Sequence, residues 1–166
     1  MDLQAAARMI TSLPPDGRAQ ALNALSQGFD AHTGLSWSWA DETRVVGSLT
    51  VQTHHTQPYG LVHGGVYATL AEAACSVGAA LTLLPEGRNG VGVENHTRFV
   101  KASRPGTTLT VTARPAGIAG RNHTWEAEIT TQEGVCCATA TVVVRALDPD
   151  ARVAGAVVTL LPDDPA

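Results

Sequence analysis

The chain has 166 residues, 44% of them hydrophobic and 16% charged, with a formal net charge of −4. That length suits one domain with a full hydrophobic core and leaves little for a second. The eleven Lys and Arg residues are scattered and outnumbered by fifteen acids, so no basic patch points to nucleic acid.

Residues 1 to about 30 carry Leu3, Met9, Ile10 and Leu13 and then, after Pro14-Pro15-Asp16-Gly17, Ala21, Leu22, Leu25 and Phe29 at helical spacing. This predicts two short docking helices. The first residues hold an acid at Asp2, one basic residue before the prolines and no apolar run of signal-peptide type, so a cytoplasmic location without export is expected. From Gly34 the stretch LSWSWADETRVVGSLTVQ alternates apolar with polar side chains, predicting a hairpin that turns near Ala40-Asp41-Glu42.

A loop from His54 to Val62 leads into Val66 to Leu84, where apolar and small side chains lie on every side before Pro85-Glu86-Gly87. The reading is a helix buried all round. It is long enough to cross a bilayer, yet Glu72, Gly78, Thr69, Ser76 and Thr82 interrupt it and no basic flank follows, so a core helix is expected rather than a membrane span. Segments 91–101, 108–118, 123–132 and 135–147 are rich in β-branched residues and separated by turns, predicting four strands in an antiparallel meander. The order implies an α+β fold, a curved antiparallel sheet of about six strands wrapped around one central helix. Its parts are a helical extension (1–33), a central domain (34–147) and a tail (148–166) in which no function is legible.

Cys75, Cys136 and Cys137 form neither a disulfide framework nor a zinc spacing. Glu72 is the residue that needs a reason, because an unpaired carboxylate in an apolar helix costs several kcal/mol or shifts its pKa.

The run G-L-V-H-G-G-V-Y-A-T-L-A-E-A-A-C-S at 60–76, followed by V-E-N-H-T-R-F at 93–99, resembles the hotdog-fold acyl-CoA thioesterases of the phenylacetate and 4-hydroxybenzoyl-CoA type. The likeness spans about residues 34–147. It implies a hotdog fold, hydrolysis of an acyl-CoA thioester, no metal or cofactor beyond the coenzyme A of the substrate, and active sites shared by a homodimer that often pairs into a homotetramer.

Thioester hydrolysis needs an activated water or carboxylate nucleophile and a donor for the developing oxyanion. Glu72 is the expected base or nucleophile, its pKa raised by burial. The alternatives are a carboxylate capping a backbone group or pairing with an arginine. Gly64 and Gly65 stand where the helix begins, so their N–H groups are prospective oxyanion donors. Eight residues separate Gly64 from Glu72, about 12 Å of helix. Either the two act in different sites or one assignment is wrong; the resemblance implies that each site takes its donor from one chain and its acid from the partner.

Ser76, one turn beyond Glu72, is placed to orient a water or the carboxylate. The resemblance gives Gln57 the role of a water-positioning amide, although many relatives carry asparagine near that place. His63 is expected to position rather than to transfer protons. His54, His55, His96 and His123 show no metal-ligand spacing. Arg98, Lys101, Arg104 and Arg121 are candidates for the coenzyme A phosphates. Two further readings stay open: a hydratase or dehydratase acting on an enoyl or hydroxyacyl thioester, and a non-catalytic acyl-CoA-binding module.

Overall fold

The computed structural model describes residues 3–149 and 151–157; residues 1–2, 150 and 158–166, with most of the tail, lie outside the described residues. Three helices open the chain: α1 (Leu3–Ser12), α2 (Pro15–Ala24) and α3 (Gly28–Thr33). The expected pair is thus a trio. Phe29 belongs to a separate six-residue helix, because Gly28 (φ 58°) breaks the chain after α2 and Gly34 (φ 73°) ends α3 in the left-handed region.

The extension is bolted to the hairpin β1 (Ser36–Ala40) and β2 (Val45–Thr50) by polar side chains. Asn23 of α2 behaves as a short substitute strand: its Oδ1 accepts from the Trp37 N–H (2.7 Å) and its Nδ2 donates to the Trp37 carbonyl (2.9 Å). An edge strand that would otherwise lie open is closed at that point. Arg18 donates to the carbonyls of Thr11 (2.7 Å) and Leu13 (2.9 Å) and pairs with Glu42 at the hairpin turn. The turn itself folds around Asp41, whose Oδ1 accepts from the N–H groups of Thr43 and Arg44.

The long helix, α4 (Gly64–Leu83), is followed by β3 (Asn89–Phe99), β4 (Thr108–Ala119), β5 (Asn122–Thr131) and β6 (Cys136–Leu147). The tail begins with a two-residue ribbon, β7 (Arg152–Val153) and β8 (Ala156–Val157). The main sheet is antiparallel with the order β1-β2-β4-β5-β6-β3.

The expected four-strand meander holds for β4 to β6 and fails for β3, which pairs with β6 at the far edge. The reason is the segment 100–107. It crosses beneath the start of α4, with Val100 N–H on the Cys137 carbonyl, Val62 N–H on the Ser103 carbonyl and Val51 N–H on the Thr107 carbonyl, and delivers β4 beside β2 instead of β3. The crossing is pinned by a buried hydroxyl pair, Tyr67 and Ser103, 2.6 Å apart.

Tyr67, Leu70, Ala71, Ala74, Cys75, Gly78 and Ala79 are the residues that α4 buries on the sheet, at the i, i+3, i+4 recurrence of one helix face. Small residues recur among them, and at Gly78 the Trp125 ring from β5 lies where a Cβ would stand. Trp125 is 1% exposed. Around it Val111, Ile129, Val142 and Val144 complete the core, each burial of this kind contributing about 1.5–3 kcal/mol. The helix is long and apolar enough to cross a membrane; here it is the inner layer of the fold.

Gly78→Val should therefore drive two methyls into the indole and lower stability by about 2–3 kcal/mol, read as a reduced urea midpoint; an unchanged midpoint would refute the close approach. Cys75 is fully buried, and burial together with the nearby Glu72 charge pushes its thiol up to about 12. Since the thiolate is the reactive form, Cys75 should resist Ellman's reagent at pH 8 until the chain is unfolded.

Candidate active site

The helix is not buried all round. Ala68, Thr69, Glu72, Ala73 and Ser76 form a half-buried face that looks past the central sheet toward the edge strand β3. Glu72 is consequently half-buried rather than enclosed. Among the described residues it has no cationic partner within ion-pair distance, so the arginine-paired alternative does not apply.

What holds the carboxylate is β3. Asn95 Nδ2 donates to Glu72 Oε2 (3.0 Å) and to the Ala68 carbonyl (3.1 Å), while Thr97 Oγ1 donates to Asn95 Oδ1 (2.7 Å). The threonine fixes which end of the amide faces the helix, and the amide fixes one carboxylate oxygen. The other oxygen, Oε1, lies where a Cβ on Gly92 would be. The register of β3 against β6 shifts between Gly92 and Glu94, a bulge that re-aims the strand at this point. Glu72, Ser76 and Asn95 share a cleft of about 400 Å³ with Thr69 and with Phe29 and Asp30 from α3.

Neither Gly92 nor Asn95 stood out in the sequence. Asn95 entered only as one letter of the V-E-N-H-T-R-F run. The alternation of β3 places Asn95 and Thr97 on one side and Glu94, His96 and Arg98 on the other, and that split gains meaning only once the first side is seen to face α4.

At the helix start the two glycines have different duties. His63 caps α4, its Nδ1 accepting from the Gly65 N–H at 2.9 Å, so that donor is already engaged. A Cβ on Gly65 would press on the His63 ring, and one on Gly64 would meet the Phe99 ring at 2.7 Å. Among the described residues no hydrogen bond takes the Gly64 N–H. The first turn thus offers one uncommitted donor at the positive end of a twenty-residue helix.

Gln57 sits in a tight turn, its N–H on the Leu61 carbonyl (2.8 Å) and its carbonyl accepting from the Gly60 N–H (2.9 Å). His63 and Gly65 line a second cleft, beside α3. Of the four basic candidates, Lys101 and Arg104 fall on the crossing segment. Arg98 lines a groove on the outer face of the sheet with Arg114 and Glu126, and Arg121 is held by Asp148 at 2.9 Å. One chain does not gather them. Among the described residues no three His, Cys, Asp or Glu side chains come together as a metal site.

The thioesterase superfamily pattern matches residues 59–138, which contain His63, Gly64, Glu72, Ser76 and Asn95. A 1,4-dihydroxy-2-naphthoyl-CoA hydrolase of Listeria monocytogenes is 31% identical over 120 residues, 71% of this chain and 96% of the relative. The chain belongs to the thioesterase superfamily. A proofreading thioesterase of Cronobacter turicensis is likewise 31% identical over 121 residues, 72% of this chain and 87% of its own. The solved structure of a Haemophilus influenzae thioesterase superposes with a TM-score of 0.73 at 27% identity, covering 79% of this chain and 91% of that one. This superfamily member has the hotdog fold, with a long helix against a six-stranded antiparallel sheet, and is a hydrolase acting on thioesters.

The packing around the carboxylate generates a test. Gly92→Ala should displace Glu72 while leaving a half-solvated edge strand intact, cutting thioester turnover by about 100-fold, as misplacement near 1 Å does. Asn95→Leu should act in the same direction. Wild-type turnover in Gly92→Ala would show that the observed carboxylate position is not the working one.

Proposed function

We propose that this thioesterase hydrolyses acyl-CoA thioesters, Glu72 acting as general base or nucleophile and the Gly64 N–H of a partner chain as oxyanion donor. The observation that carries the reading is the pairing of an oriented, cation-free carboxylate with an uncommitted N–H about 12 Å further up the same helix. Within one chain the two cannot address one carbonyl carbon. Between two chains they can.

In the base mechanism Glu72 takes a proton from a water whose oxygen bonds to the acyl carbon. The carbonyl oxygen gathers negative charge against Gly64 N–H, and the carbon–sulfur bond breaks to release the free acid and the CoA thiol. In the nucleophilic variant Glu72 itself bonds to the acyl carbon, the carbon–sulfur bond breaks to release CoA, and water cleaves the resulting anhydride to give the free acid and restore the carboxylate. Asn95 leaves Oε1 as the oxygen available to either step. Ser76 and Gln57 are the water-positioning candidates, and His63 holds the Gly65 end of the turn so that Gly64 keeps its aim.

A homodimer follows from the same logic. Strand β3 is an eleven-residue edge, with one side paired to β6 and with Val93 and Phe99 exposed, features that suit strand-to-strand pairing with a second copy. Two such dimers would make the homotetramer implied by resemblance. Lys101, Arg104, Arg98 and Arg121 are the basic groups offered to the coenzyme A phosphates, from either chain. The Listeria relative's named substrate supports an aromatic acyl group, and a cytoplasmic location fits an intracellular thioester.

Glu72→Ala should reduce CoA release by about 10³-fold across a panel of aryl and alkyl thioesters. Appearance of thiol, without a change in enoyl absorbance, separates hydrolysis from hydration. The shared site is tested by mixing. Gly64→Pro removes the donor at a first-turn position that tolerates proline, and His63 already has the extended backbone (ψ 136°) that must precede one. Each variant alone should be inactive, while refolded mixtures of Glu72→Ala with Gly64→Pro should regain about a quarter of wild-type activity, because half of the dimers carry one intact site. No recovery from folded mixtures would show that one of the two assignments is wrong.

A further inference from the structure

Strand β3 differs from its neighbours in what it shows to solvent. From Gly92 to Phe99 every residue except the half-buried Thr97 is exposed, on both faces, whereas β5 and β6 alternate buried with open positions. Two of the exposed residues, Val93 (49%) and Phe99 (59%), are large and apolar. Arg98 has no ion-pair partner among the described residues.

The backbone decides which groups this edge can offer. Val100 N–H bonds the Cys137 carbonyl, and the pairing of β3 with β6 runs unbroken from Glu94 to Phe99. Antiparallel alternation therefore turns the N–H and C=O of Arg98, His96 and Glu94 toward β6 as well. Those of Asn95 and Thr97 point to the outer side, where no further described strand pairs.

Two copies joined edge to edge about a two-fold axis perpendicular to the sheet keep both α4 helices on one face. Opposed residues must then share a face, so the axis passes through a residue and never between two. Three registers come into question, with Asn95, His96 or Thr97 on the axis. With Thr97 there, Arg98 meets the partner's His96. With Asn95 there, Arg98 runs into the Gly92 bulge. With His96 there, Arg98 of each copy stands opposite the partner's Glu94 in a non-hydrogen-bonded pair, the kind in which side chains lie closest, while Asn95 and Thr97 exchange backbone hydrogen bonds.

The same register sets Phe99 opposite the partner's Val93, apolar against apolar. Phe99 rests on Gly64, and Val93 lies between Gly92 and Asn95, the two residues in touch with the Glu72 carboxylate. Gly64 of one copy thus comes level with Glu72 of the other.

We propose that two copies pair through β3 with His96 on the two-fold axis, locked by two crossed Glu94–Arg98 ion pairs, and that this register aligns the two halves of each active site. The inference rests on the shared-site reading above and names the contacts that set it. Glu94 holds His96 of its own chain at 2.6 Å, which keeps its carboxylate on the outer face where the arginine arrives. Arg98 becomes an interface group instead of one offered to coenzyme A.

Charge exchange tests the ion pairs. Glu94→Arg and Arg98→Glu each set like charges opposite one another and should weaken dimerisation about 10- to 100-fold in sedimentation equilibrium, with CoA thioester turnover falling in parallel. An equimolar mixture of the two variants should recover both, since every heterodimer has two complementary pairs. Oxidative crosslinking reads the register: His96→Cys should give a disulfide-linked dimer, while Asn95→Cys, Thr97→Cys and the wild type with its three native cysteines should not. Crosslinking at Asn95→Cys or Thr97→Cys instead of His96→Cys, full-strength dimerisation in the single charge variants, mixtures no better than their components, or a monomeric wild type would overturn the proposal. If the wild type releases CoA from no thioester, the hydrolytic reading falls separately, and sedimentation and crosslinking still judge the register.

Discussion

The contact on which the structure depends is that of Trp125 with Gly78. It sets how near α4 comes to the sheet, and a helix unbroken over twenty residues carries that depth along its length. Two turns toward the N-terminus, the same approach leaves the Ala68, Glu72 and Ser76 face beside β3 at hydrogen-bonding range. A larger residue at position 78 would lift the whole layer, and the Asn95 bridge would be stretched along with the core.

Packing and chemistry are therefore not separate regions here. One face of α4 is a small-residue core surface, and the next face carries the carboxylate. The start of the helix is likewise double in purpose: His63 spends its ring on the cap, which engages Gly65, and that expenditure leaves Gly64 as the donor with nothing else to do. Phe99, an exposed ring resting on the Gly64 Cα, has to swing aside for any larger residue at that position.

Much of this was legible in the chain. The period change at Gly34, the apolar run through α4 and the β-branched segments gave the elements, and the lone acid in the run marked the candidate site. What was not legible was long-range. The displacement of β3 to the sheet edge follows from how segment 100–107 is tied to Val51, Val62 and Cys137, contacts with no local signature. Gly92 and Asn95 matter only because β3 lands beside α4, so their roles could not be read before that adjacency was known. Helix α4 looked uniformly buried because alanine and glycine score as apolar whether they face a core or a cleft. The break between α2 and α3 turned on Gly28, a single residue easily absorbed into a helical pattern.

The strand that orients Glu72 is also an edge of the described sheet. Alternate residues of β3 face α4, while among the described residues no further strand pairs with its outer side from Gly90 to Phe99. Tightening, twisting or sliding that edge would shift the Gly92 bulge and, with it, the aim of the carboxylate. Substitutions along that edge therefore cannot be neutral for the aim of the carboxylate, and divergence along β3 is confined to a narrow sequence corridor running through an otherwise solvent-washed strand.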